Sequence, residues 1–331
     1  MKALFAVPGA SGGVHELRET AVPAAEPGEV LVAVHAAGTN RGELIRLPLL
    51  RSDNPALKPT RAGIEFAGEI VALGAGVSGW KPGDRVMGRA AGSYAEYVRA
   101  NQRALMRIPQ DMSWADAAAI PNVYVTAHDA IVTNAALRSG ESVLVTAGSS
   151  GVGTAAIQIC RHLGANPVMA TTRSAAKAEA LRTLGAHGVI DASRADWPGA
   201  VMAVAGKRGV DVIIDQAGGP MLPGNVKVLA IKGRLISVGR SGGRTGECDL
   251  DEIARKRVSI IGVTFRTRSP EESLVCGERF AADLLSAIGS GTLRPVVDRT
   301  FPLAGFADAY RHMLSDTQIG KIVLTINNAA A

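Results

Sequence analysis

The chain has little cysteine, few aromatics and no long apolar run. Only Cys160, Cys248 and Cys276 occur among 331 residues, far apart and without a Cys-x-x-Cys pair. That excludes a disulfide framework. Aromatic residues make up 4% of the chain, too few for a base-stacking platform. The formal charge is +6, but lysine and arginine are scattered with no basic block, which argues against a nucleic-acid partner. No apolar stretch reaches the length of a membrane helix, and the opening run is too short for a signal peptide. The expected compartment is a reducing cytoplasm. No internal repeat is visible. What is present is 47% hydrophobic and 20% charged residues, the balance of a folded globular protein with a large core and room for two domains.

The first third alternates short β-rich runs with Gly/Pro turns: "GEVLVAVHAAG", "EFAGEIVALGAG", "GDRVMGRA" and "SYAEYVRA". No long helical period separates them, so a twisted, barrel-like β region is expected. From about Pro121 strands and helices alternate. "SVLVTA", "PVMATT", "GVIDA", "VDVIIDQAG", "GRLISVG" and "VSIIGVTF" read as strands. "GTAAIQICRHLG" and "SAAKAEALRTLG" read as helices stopped by Gly164 and Gly185, the second with Ser174 as N-cap. Continuous apolar strands in β-α alternation predict a doubly wound parallel sheet, so the fold class is α/β. After Arg268 one long helix precedes "RPVVDRTFPL" and "GKIVLTI". The last strand is expected to return to the first domain. The boundaries read as 1–121, 122–266 and a C-terminal segment 267–331.

Gly151, Gly153 and Ala156 stand at GxGxxA spacing, after a strand and at the start of a helix. In that setting the first glycine makes the tight turn, the second admits a pyrophosphate, and the small third residue lets helix pack on strand. The helix start offers free N–H groups and a positive dipole end. A dinucleotide site follows. NAD sites usually carry an acid about 20 residues on, at the end of the second strand, for the ribose hydroxyls. Here that end reads "ATTRSAAKAEAL", with Thr172, Arg173, Ser174 and Lys177 and no acid before Glu179. Arginine and lysine pair with a 2′-phosphate that a carboxylate would repel, so NADP(H) is the expected cofactor.

A set of motifs in order then carries a resemblance: "AAGTNRGE", "AGIEFAGEIVALGAGVSGWKPGDRV", "GSYAEY", "AAAIPNVYVTAHDAI", "LRSGESVLVTAGSSGVG", "SIIGVTF", "RPVVDRTFPL" and "GKIVLTI". Over nearly its full length the chain resembles the medium-chain dehydrogenase/reductase superfamily. Within it, it is similar to the zinc-independent NADPH:quinone oxidoreductases, the group that contains ζ-crystallin. The resemblance implies a GroES-like catalytic domain, a Rossmann domain, a cofactor cleft between them, and a homodimer or tetramer.

The resemblance also implies site residues. Asn40 matches the position facing nicotinamide and substrate, and Tyr124 and Thr126 match positions lining the cleft. Tyr124 reads equally well as core filler. Glu43 matches an acidic position, and a purely structural ion-pair role is the plainer reading of it. Ser149, Ser150, Gly151, Val152 and Gly153 match the pyrophosphate turn. Gly239, Arg240 and Ser241 follow the fifth strand at its carboxyl end. Val263, Thr264 and Phe265 match a strand end whose backbone faces the nicotinamide amide, and Lys321 matches a position near the cofactor.

Zinc enzymes of the superfamily carry Cys in the motif matching "GTNRGE" and His in the one matching "GIEFAG". Thr39, Asn40 and Ile64 stand there instead, a third Cys is lacking around Pro121–Tyr124, and the four-Cys lobe is missing. Three or four N/S ligands are required, so no catalytic zinc is expected. His15, His35, His128, His162, His187 and His312 do not cluster. Without a Lewis acid, a quinone or an enone is the expected hydride acceptor. An enoyl or ketone reductase of a biosynthetic pathway and a non-catalytic NADPH sensor are the alternatives.

Two features depart from the family pattern. Asp191 and Ala192 stand where many relatives keep an aromatic residue or His near the 2′-phosphate. The stretch Arg46 to Gly63 lacks the ring-stacking Tyr of many relatives, and is either a specificity loop for a more aliphatic substrate or an ordinary surface loop. Finally, "VSIIGVTF" reads as a sheet edge that invites pairing with a second copy.

Overall fold

The computed structural model describes residues 1–46, 50 and 58–326. Most of the Arg46–Gly63 stretch, Leu47, Leu49 and Pro55 included, therefore lies outside the described residues. The chain forms two compact units. The first comprises Met1–Asn122, Gly277–Asp283 and Arg294–Ala331; the second comprises Val123–Cys276 and Leu284–Leu293. Against the boundaries expected from sequence, the chain enters the second unit at Val123, and much of the 267–293 stretch also belongs there.

The first unit is β-rich. Its main sheet runs in the order Val297–Pro302, Lys321–Thr325, Glu29–Gly38, Phe66–Leu73, Arg85–Gly88 and Leu105–Arg107. Tyr97–Asn101 also pairs with Glu29–Gly38. A second, three-stranded sheet is built on Lys2–Val7. The inward side chains Val30, Val32, Val34, Phe66, Ile70, Val86, Tyr94 and Leu324 make one core. Burying each such side chain stabilises the fold by about 1.5–3 kcal/mol. The last strand returns to this unit as expected: Lys321–Thr325 pairs antiparallel with Glu29–Gly38, Val323 opposite Gly38. It also pairs in parallel with Val297–Pro302. Parallel neighbours need a crossover, and the amphipathic helix Phe306–Leu314 supplies it. The sequence reading missed this helix, because a short helix between two strands offers few periods to count.

The second unit is the expected doubly wound sheet. Its six strands lie in the order Gly188–Asp191, Val168–Thr172, Val143–Val145, Val210–Asp215, Leu229–Ser237 and Ser259–Gly262, all paired in parallel. Val143, Leu144 and Val145 have no exposed surface, as a strand covered on both faces requires. The helix Gly151–His162 starts at Ser150, whose side chain accepts from the Gly153 N–H, and stops before Gly164 at φ +80°. The helix Pro270–Gly289 opens with a reciprocal Ser269/Glu272 capping box.

Ser174 behaves differently from expectation. It makes no side-chain cap, and a 3-10 turn, Ala175–Lys177, precedes the helix Ala178–Thr183. The Thr172 hydroxyl accepts from the Ser174 N–H at 3.2 Å. The strand Ser259–Gly262 is the sheet edge, with Ile260 46% exposed. Among the described residues no helix is long and apolar enough to cross a membrane.

Candidate active site

In the second unit the glycine turn joins the first strand to its helix. Thr171, on the neighbouring strand, ties the turn down. Its hydroxyl accepts from the Ala147 N–H at 3.1 Å, and its carbonyl accepts from the Gly148 N–H at 2.8 Å. A Cβ on Gly153 would lie 2.6 Å from the Ala147 carbonyl oxygen and 2.7 Å from that of Gly148. Gly153 is thus required for the turn and helix to approach each other. Ser149, Ser150, Gly151 and Val152 are all partly exposed around that helix start. Small residues there, with the amides of Gly151 and Val152 heading a helix of 12 residues, fit a pyrophosphate. Gly153→Ala should cost about 1–3 kcal/mol through backbone overpacking and lower dinucleotide affinity. Thermal melts and cofactor titration check it; an unchanged melting point would contradict the assigned packing.

At the end of the second strand Arg173 is exposed, while Lys177 is only 9% exposed. Asp191, in register with Thr172 on the adjacent strand, accepts from the Ser193 N–H at 2.9 Å and from its hydroxyl at 2.6 Å. Those hydrogen bonds, with a smaller contribution from Arg194, hold its carboxyl below the usual range.

The fourth strand ends in a device that sequence reasoning missed. Buried Asp215 accepts from the Thr146 hydroxyl at 2.7 Å and from the N–H groups of Ala217 and Gly218. Burial still raises its carboxyl above the ordinary value. The only signal was an acid closing an apolar strand in "VIIDQAG". Gly239 is needed for close approach, since a Cβ there would lie 2.4 Å from the Gln216 carbonyl oxygen, and that same oxygen accepts from the Ser241 hydroxyl at 3.0 Å. Arg240 is exposed.

Val263 donates its N–H to the Ser237 carbonyl, and the Thr264 carbonyl accepts from Arg268 Nε at 3.2 Å. The Arg268 guanidinium stacks 4.7 Å over the Phe265 ring and pairs with buried Asp129 at 2.7 Å. The Thr264 carbonyl is thus already engaged within its own unit. Tyr124 is 1% exposed, and its hydroxyl accepts from Gln158 Nε2 at 3.2 Å. Burial pushes its phenol up. Of the two readings of Tyr124, the core position is the one the geometry carries. Thr126 is also buried, at 9% exposure.

The first unit holds the polar network around Asn40. Asn40 Oδ1 accepts from Lys321 Nζ at 2.8 Å and from Asn122 Nδ2 at 2.9 Å; its Nδ2 donates to Glu65 Oε1 at 2.9 Å. The second Nδ2 hydrogen meets only longer contacts, Gly38 O at 3.4 Å and Glu43 Oε2 at 3.5 Å. Lys321 is 4% exposed and donates to Glu65 Oε1 at 2.7 Å, Thr39 O at 2.5 Å and Asn40 Oδ1. All three of its donors are spent within the chain, one of them on Asn40. Glu65, with no exposed surface, and Asn122 complete the network. Neither was singled out from sequence.

Comparison with known proteins matches both units. Residues 26–110 match the "Alcohol dehydrogenase GroES-like domain" and residues 151–276 the "Zinc-binding dehydrogenase" family description. The quinone oxidoreductase of Rattus norvegicus is 34% identical over 311 residues, covering 93% of this chain and 92% of that one. The chain belongs to the quinone oxidoreductase group of the medium-chain dehydrogenases/reductases.

Other members of this superfamily are comparably similar. The spectinabilin polyketide synthase system protein NorB of Streptomyces orinoci is 36% identical over 313 residues, 93% of this chain, which spans only 14% of that protein. Among solved structures, an NAD-dependent alcohol dehydrogenase has a TM-score of 0.88 at 29% identity, covering 99% and 100% of the two chains. The CurK enoyl reductase has 0.84 at 26%, covering 98% and 100%. A mycobacterial protein complexed with NADPH has 0.85 at 27%, covering 98% and 99%. In this oxidoreductase the positions where zinc members keep ligands are otherwise engaged. Thr39 Oγ1 donates to the Ile322 carbonyl at 2.8 Å, the Asn40 amide is bonded on both atoms, and Ile64 has no donor atom. These residues do not fit a catalytic zinc.

Proposed function

We propose that the chain is an NADPH-dependent, zinc-independent reductase acting on a quinone or another conjugated carbonyl. The observation that carries this reading is the Asn40 network: an ammonium, a carboxylate and two amides are bonded to one another there, and Ile64, which has no donor atom, stands at the position matching the zinc members' His. Asn40 is held on three sides by Lys321, Glu65 and Asn122, leaving one Nδ2 hydrogen for a carbonyl oxygen. A neutral amide donor is a weak electrophile compared with a metal ion. The acceptor must therefore be activated by its own conjugation, which a quinone or enone is. When bound, NADPH supplies the hydride. The chain's part is to bind and orient: Gly151, Val152 and Gly153 at the pyrophosphate, Arg173 and Lys177 at the 2′-phosphate, and Asn40 at the substrate oxygen.

A second reading has its own support. The likeness to a polyketide synthase system protein and to an enoyl reductase favours an enoyl thioester as the conjugated acceptor. Both readings share one mechanism and one experiment. Chelator-treated protein is expected to oxidise NADPH with an ortho-quinone or an enoyl thioester as acceptor, and the faster acceptor names the class. Loss of turnover after chelation, with recovery on adding zinc, would overturn the proposal.

A further inference from the structure

The network around Asn40 contains a second carboxyl that the proposed reaction leaves unused. Glu43 sits in the first turn of the helix Arg41–Arg46. Its Oε2 accepts from the Asn40 backbone N–H at 2.9 Å and touches the Tyr94 hydroxyl. That hydroxyl also lies 3.1 Å from the Gly38 carbonyl oxygen. A phenol has one hydrogen. With Glu43 ionised, both neighbours of that hydroxyl are acceptors and one contact has no hydrogen. With Glu43 protonated, the acid O–H donates to Tyr94, Tyr94 donates to Gly38, and the Asn40 N–H still donates to Glu43.

Charge gives the same answer by an independent route. The groups facing Glu43 are Lys321 from the last strand, Glu65, Tyr94, and Tyr310 from the helix Phe306–Leu314. Two carboxyls share one ammonium, and Lys321 spends none of its donors on Glu43. Glu65 is the paired anion. Glu43 Oε1 is buried and has no hydrogen-bond partner among the described residues, a costly setting for a carboxylate.

We propose that Glu43 is a proton-holding positioning residue: its neutral carboxyl leaves the Tyr94 hydrogen on the Gly38 carbonyl, two residues before Asn40, and its ionisation draws that hydrogen away and releases the carbonyl. The part of this that concerns turnover rests on the reductase reading; the protonation itself does not. Burial pushes the Glu43 carboxyl up from 4.5 to about 7, so the change falls in the neutral range. The sign for stability follows. Folding binds this proton more tightly than the unfolded chain does, so the contribution is complete below 4.5 and is lost as pH rises through about 7.

The test has two arms. Infrared difference spectra of the wild-type protein between about pH 6 and about pH 8 are expected to show one protonated-carboxyl band that disappears on raising the pH. The band should be missing in Glu43→Gln. In turnover, wild-type kcat/KM is expected to fall about tenfold per pH unit above neutrality. Glu43→Gln, which keeps a neutral side chain, should flatten that limb, and Glu43→Asp should retain it. No such band in the wild type, or an alkaline limb that survives Glu43→Gln, would overturn the proposal. A protein that shows the band but reduces no quinone or enoyl thioester would refute the reductase reading alone.

Discussion

Arg173→Ala is expected to weaken NADPH binding by roughly 10- to 100-fold, while leaving NADH binding within about twofold of wild type. The range follows from the roughly 1.5–3 kcal/mol of one charge-assisted hydrogen bond. Arg173 is exposed at the carboxyl end of the second strand, where the ribose of a bound dinucleotide lies in this fold. Asp191 raises the importance of this arginine. It stands in register beside Thr172 and its bonds to Ser193 favour the ionised form, so on the NADPH reading it would repel the 2′-phosphate that Arg173 would attract. Isothermal titration with both cofactors decides the matter; equal losses for NADPH and NADH would remove Arg173 from the phosphate site.

Lys321→Met is expected to destabilise the protein by about 3–5 kcal/mol, the usual cost of leaving one partner of a buried ion pair alone. The pair is almost fully enclosed, with Lys321 at 4% and Glu65 at 0% exposure. The same ammonium also satisfies the Thr39 carbonyl and Asn40 Oδ1, so three buried acceptors lose a donor at once. Adding Glu65→Leu removes the stranded carboxylate and should recover part of the loss, a coupling that a double-mutant cycle reads directly. Activity should not recover with stability, because Glu65 also holds Asn40 Nδ2. Chemical denaturation of the four proteins measures the cycle. A loss below about 1 kcal/mol for Lys321→Met would place the pair with exposed ion pairs and undo its assigned role.

These predictions differ in how far sequence alone leads to them. Arg173 was found by position, because the distance from a glycine turn to the end of the next strand is short and regular. The turn, the helix it opens and the six strands were legible for the same reason: each depends on a window of a few residues, where periodicity and glycine conformation are decided. That residue 64 offers a metal no ligand was legible too, since an isoleucine side chain has no donor atom in any fold.

Two details lay beyond the local sequence. Ser174 has the right identity for an N-cap, yet its side chain makes no cap bond and a 3-10 turn stands between it and the helix. Tyr124 and Gln158 are 34 residues apart, and only helix packing decided that the phenol meets an amide in the interior.

By itself the sequence determined the two-part architecture, the glycine turn that opens a helix and the cation at the end of the second strand. Tertiary structure alone decided the environment of Asn40. Asn40 meets Glu65 25 residues away, Asn122 82 residues away and Lys321 281 residues away. Antiparallel register brings Lys321 there, pairing Val323 with Gly38 two residues before Asn40. Once enclosed, that cluster spends the donors of Lys321 on Thr39, Asn40 and Glu65 and none on Glu43. Whether a buried group keeps its proton depends on the sum of its neighbours' charges and on the water they exclude, and both are properties of the folded chain rather than of any segment of it.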